Sequence, residues 1–121
     1  MSATAGDAAL VVNRDLANEI DALAARHPEI PAGVVNAAQV LLGAVPIPPA
    51  SISRGYNPTI CFYWSTTRPI EVEVTPTDFE YYELGPTVDI RHFPHGGEPV
   101  ISPDLLALLL LAALLQKSPH P

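Results

Sequence analysis

An α+β fold, with a four-stranded antiparallel meander packed against N-terminal helices and a C-terminal leucine-rich helix, is predicted by three features of the sequence. Between Thr59 and Phe93, apolar and polar residues alternate through four short segments separated by turn residues. Upstream, apolar residues recur at helical spacing. Downstream, a leucine-rich run opens on a helix start signal. At 121 residues, one domain with one hydrophobic core is expected.

The first helix is expected over about 14 to 26, where Leu16, Ile20 and Leu23 share a face, Asn13 or Asp15 offers a cap and Pro28 sets the end. A second begins at Pro31, whose fixed φ suits a first turn, and runs to Val45 with Val34, Ala38, Leu41 and Val45 on one face. The stretch 46–58 carries Pro46, Pro48, Pro49 and Pro58 with Gly55 among small polar residues, and reads as a connector.

In the sheet, spanning 59–93, Ile60, Phe62 and Trp64 share one face of a strand and Ile70, Val72 and Val74 one face of the next. Slipping the register by one residue would bury Glu71 and Glu73, so the pairing is firmly set. Phe79 and Tyr81 alternate with Glu80 and Tyr82 in a third strand, and Val88 and Ile90 define a fourth. Connections this short make neighbours pair antiparallel. The expected apolar face is Phe62, Trp64, Val72, Val74, Phe79, Tyr81 and Ile90. The opposite face is expected to carry Glu71, Glu73, Asp78, Glu80, Glu83 and Asp89 against Arg68 and Arg91.

Ser102, Pro103 and Asp104 then supply a hydroxyl cap, a proline at the first helical position and an acid at the positive end of the helix dipole, opening a helix over 103–116. This helix is apolar around most of its circumference, so it lies between sheet and helices or leaves a face for a second chain. Its longest apolar run, Leu105 to Leu115, is 11 residues. About 18 to 20 are needed to span a bilayer, so no membrane association is expected.

With 48% hydrophobic and 16% charged residues the chain is not disordered throughout, while fourteen prolines point to irregular connections and fraying at both ends. A net charge of -7, a pI near 4.8 and only six Lys and Arg argue against direct nucleic-acid binding and favour a protein partner with a basic surface. Cys61 is the only cysteine, which excludes an intrachain disulfide and fits a cytoplasmic location. Residues 1–9 show no secretory pattern.

Candidate chemistry is sparse. Asp89, His92 and His95 are spaced for one face of a helix, but on a strand Asp89 and His92 point to opposite sides, so neither a metal nor a cofactor is expected. Cys61 lies on a strand with no glycine-rich turn or helix start to present it, and reads as a half-buried side chain rather than a nucleophile. Glu71, Glu73 and Glu80 could act as acid and base if one were desolvated, but read first as a solvated acidic face. Among the aromatics, Tyr63 and Tyr82 fall on that face and are candidate interface anchors. No phosphate loop, nucleophile elbow or paired CxxC motif is present.

The order helix, proline-rich connector, ICFYW (60–64), IEVEV (70–74) and FEYY (79–82) resembles a loose group of small bacterial accessory proteins encoded on mobile genome segments, sometimes beside toxin-like or defence-related genes. The resemblance covers about 16 to 82. The chain departs from it at Tyr56, Asn57 and Pro58, which replace a glycine-containing turn, and in the leucine helix from 103. No catalytic residues are established for that group, so none is carried over. The resemblance implies a non-enzymatic accessory protein.

The functional expectation is therefore a small protein-binding module, an antitoxin or an inhibitor of a bacterial or phage toxin or defence system, acting through Glu71, Glu73, Glu80, Tyr63 and Tyr82 with no catalytic residues. Two alternatives stand beside it: a homodimer formed through the leucine-rich helix, and a small enzyme using the sheet carboxylates or His92 and His95.

Overall fold

The computed structural model describes residues 5–96 and 100–116. The elements are α1 (Ala5–Arg26), α2 (Ala32–Ala44), β1 (Ser51–Arg54), β2 (Ile60–Trp64), β3 (Ile70–Val74), β4 (Asp78–Glu83), β5 (Asp89–Pro94) and α3 (Pro103–Gln116). The class is α+β. The five strands form one antiparallel meander in the order β1-β2-β3-β4-β5.

Two helix starts differ from the sequence reading. Helix α1 begins nine residues before 14, at Ala5, because Ala8, Ala9 and Leu10 are good helix formers and no proline interrupts the chain before Pro28. Helix α2 begins at Ala32, with Pro31 extended as its N-cap. Its first turn closes through Val34 and Val35 N–H groups on the Pro31 carbonyl. The fraying expected at the extreme ends falls on residues 1–4 and 117–121, outside the described residues.

The larger correction is a fifth strand. Ser51–Arg54, within the expected connector, pairs with β2 in the register Ser51↔Tyr63, Ile52↔Phe62, Ser53↔Cys61 and Arg54↔Ile60. Only Ile52 of its four residues is buried. A short edge strand with one inward apolar residue has almost no periodic signal of its own, and the backbone groups of β2 recruit it. The approach is fixed from the other side by Trp64, whose indole N–H donates to the Ile47 carbonyl at 2.8 Å.

One face of the sheet packs on the helices. Ile52, Ile60, Phe62, Trp64, Ile70, Val72, Val74, Phe79 and Tyr81 join Ile20 and Leu23 of α1, Val34, Leu41 and Leu42 of α2, and Leu105, Leu109 and Ala112 of α3 in one apolar cluster. Helix α1 lies along β1 and α2 over β2 and β3. Gln39 ties the two helices together, donating to the Ala17 carbonyl and to Asp21. On α3, Leu110, Leu111 and Leu114 remain exposed. Among the described residues no helix is long and apolar enough to cross a membrane.

Strand β5 runs in the opposite phase to the one expected. Ile90 pairs with Tyr82 and is 52% exposed, so it leaves the expected core. The connection from Leu84 to Val88 sets this phase, placing Asp89, Arg91 and Phe93 on the helix side instead. Glu83 and Asp89 also leave the expected acidic face: Glu83 is in the phase of Phe79 and Tyr81 on β4, and Asp89 faces it across the ladder. Both lie on the helix side at the far edge, where Arg68 pairs with Glu83 at 2.9 Å and Asp89 at 3.7 Å.

Candidate functional site

Strand register arranges the open face of the sheet in two rows running across all five strands. One row is Ser51, Tyr63, Glu71, Tyr82 and Ile90; the other is Ser53, Cys61, Glu73, Glu80 and His92. Asp78 lies one step beyond the second row, two residues before Glu80 on β4. The structure thus brings Glu71, Glu73, Glu80, Tyr63 and Tyr82 onto one surface. No strand residue of that face is Lys or Arg.

Each of the three glutamates is held by a neutral donor. The Cys61 thiol donates to Glu71 Oε1 at 3.4 Å, the Thr59 hydroxyl donates to Glu73 Oε2, and the Tyr82 hydroxyl donates to Glu80 Oε1 at 2.8 Å. Charge-assisted bonds of this kind orient a carboxylate without neutralising it. Elsewhere among the described residues four carboxylates meet arginines: Glu29 with Arg54, Glu83 and Asp89 with Arg68, and Glu19 with Arg26. Among the described residues no Arg lies at ion-pair distance from Glu71, Glu73 or Glu80.

The donors respond to these charges. Burial first, then the neighbouring charge of Glu71 and its hydrogen bond, push the Cys61 thiol up to about 12. It stays protonated at neutral pH, the opposite of what a thiolate nucleophile requires. Burial and the hydrogen bond to Glu80 likewise push the Tyr82 phenol up to about 12.

Between this face and the β1–β2 turn lies a shallow depression of about 350 Å³. Cys61, Glu71, Glu73 and Tyr82 border it together with Ser53 and Arg54 of β1, and Gly55 and Tyr56 close the turn side. Gly55 is required by close approach: a Cβ there would collide with Thr59 Oγ1 and stand 2.8 Å from Glu73 Oε2.

The two histidines considered together in the sequence separate. His95 is buried, with its ring 4.8 Å from that of Phe79 and its Nε2–H donating to the Thr75 carbonyl at 3.0 Å. His92 lies on the open face opposite Glu80. Sequence reasoning missed Thr59 and Gly55, whose roles depend on the hairpin formed with the unforeseen β1, and the convergence of Asp78 with His92, which depends on the β4–β5 register. Compared with known proteins, the chain matches no family model, no curated protein and no solved structure.

Proposed function

We propose that this chain is a small protein-binding module that receives a basic surface of another protein on the open face of its sheet, acting as an antitoxin or inhibitor of a toxin or defence system. The observation that carries this reading is that Glu71, Glu73 and Glu80 are each anchored by a neutral donor, with no arginine of the described residues at ion-pair distance. Such preorganisation lowers the ordering cost of binding and presents negative potential to an incoming cation. Tyr63 and Tyr82 supply aromatic contact area in the same row as Glu71.

The test is affinity capture from the native cytoplasm with the wild type and a Glu71→Lys, Glu73→Lys double variant side by side, read by mass spectrometry. The Glu73→Lys change sets an ammonium group opposite Glu80, where an ion pair can form, so the sheet is expected to persist. A basic protein captured by the wild type alone supports the reading. Equal capture by the double variant, or no capture by the wild type, counts against it.

A second reading, self-association through α3, draws on Leu110, Leu111 and Leu114, which are 43%, 54% and 60% exposed on one short helix. A second copy of the chain would cover them. Sedimentation velocity showing a monomer across a wide concentration range removes this reading.

A further inference from the structure

We propose that Asp78, Glu80 and His92 form a binding site for a divalent first-row transition metal, with Zn²⁺ as the best-suited ion. This departs from the expectation of no metal, which rested on Asp89, His92 and His95. The register replaces that set: Glu80 and His92 are direct cross-strand partners, and Asp78 shares their face. One atom from each of the three side chains converges, all within 4.8 Å of one another.

The separations favour a shared ion over direct pairing. His92 Nδ1 stands 3.9 Å from Asp78 Oδ2 and 3.6 Å from Glu80 Oε2. Both exceed the hydrogen-bond range of about 2.7 to 3.2 Å. Ligands about 2.1 Å from a tetrahedral Zn²⁺ are separated by about 3.4 Å, so small side-chain adjustments close the set around an ion. The Tyr82 hydroxyl donates to the other oxygen of Glu80, the kind of outer contact that orients a ligating carboxylate.

One imidazole with two carboxylates selects for Zn²⁺ and its neighbours over Mg²⁺ or Ca²⁺, which take oxygen ligands. Three protein ligands leave a fourth position open to water or to a donor from a partner. The site shares Glu80 with the face proposed to bind a protein, but its geometry stands without that reading. It lies at the β5 side of the face, on side chains outside the depression bordered by Glu71 and Glu73.

The experiment is a calorimetric titration of the full chain with ZnCl₂, repeated with MgCl₂ and on Asp78→Asn, Glu80→Gln, His92→Ala and a His27→Ala control. His27 is chosen because it also faces a carboxylate, at 3.4 Å from Glu29. One equivalent of Zn²⁺ bound by the wild type and by His27→Ala, with affinity lowered at least about tenfold in the other three, is expected. Mg²⁺ should give no comparable heat. Absence of saturable Zn²⁺ uptake, or unchanged affinity in His92→Ala, overturns the proposal. Since a variant could lose its fold, wild-type histidine ring resonances are followed as Zn²⁺ is added. The His92 ring must shift first, and a first shift at another histidine also overturns the assignment.

Discussion

Glu73 on β3 and Glu80 on β4 are direct cross-strand partners on the open face, and no Arg among the described residues stands at ion-pair distance from either. Like charges opposite each other on a ladder are unfavourable, so this pair is retained at a cost to the fold. Glu80→Gln keeps an oxygen acceptor for the Tyr82 hydroxyl while removing the repulsion. The variant is expected to be more stable than the wild type by about 0.2 to 1 kcal/mol. Urea denaturation measures this, and a lowered midpoint would contradict the account.

Gly55 and Thr59 form a second coupled pair. A methyl group at position 55 would collide with the Thr59 hydroxyl and approach Glu73 Oε2. Gly55→Ala should therefore cost about 1.5 to 3 kcal/mol, the worth of a hydrogen bond to a charged group. Thr59→Val combined with Gly55→Ala should cost less than the sum of the two single changes, since both act on the same bond. Additive costs would mean that the strain lies elsewhere in the turn.

The raised thiol and phenol make stability sensitive to alkali. An unfolded thiol titrates near about 8.5 and an unfolded phenol near about 10, whereas folded Cys61 and Tyr82 hold their protons to about 12. Above the unfolded values the unfolded chain releases protons first, so stability is full below about pH 8.5 and falls as pH rises towards the folded values. Burial raises Tyr81 in the same direction. Cys61→Ala should remove the earliest part of the fall and leave the tyrosine part, starting near about pH 10. Urea midpoints measured from pH 7 to 11 decide it. A Cys61→Ala curve parallel to the wild type would refute the linkage.

Trp64 carries the contact that holds the proline-rich segment to the sheet. Trp64→Phe keeps an aromatic ring in the core but leaves the Ile47 carbonyl without its indole donor. The expected cost is about 1 to 3 kcal/mol. Amide exchange should quicken in Ser51–Arg54 more than in β3, because the lost contact anchors the approach to β1. Uniform acceleration across the sheet would place the effect in core packing instead.

The α+β class and the three helices were legible because each rests on local periodicity: Leu16, Ile20 and Leu23 at helical spacing, and Phe62, Trp64, Val72 and Val74 at a spacing of two. Placing Tyr63, Glu71, Glu73, Glu80 and Tyr82 on one face needed only the alternation within each strand. Strand β1 was hidden because Ile52 is its one buried residue. Ile90 and Asp89 were misplaced because the phase of a strand after a five-residue connection is not written in its own alternation, whereas Glu83 follows the alternation of Phe79 and Tyr81 on β4. Val88 and Ile90 look like an inward pair until the register with β4 turns them out.

What the sequence determined by itself was which residues share a side of each strand, and hence an apolar core beneath a sheet face bearing Glu71, Glu73 and Glu80. These properties are set by residues two to four positions apart. The tertiary structure alone decided which strands are neighbours and in what register. That choice placed Glu73 opposite Glu80, brought His92 to Asp78 and Glu80, and sent His95 against Phe79. The physical reason is that register is fixed by turn length and long-range pairing, so side chains many residues apart meet only once the whole sheet has closed.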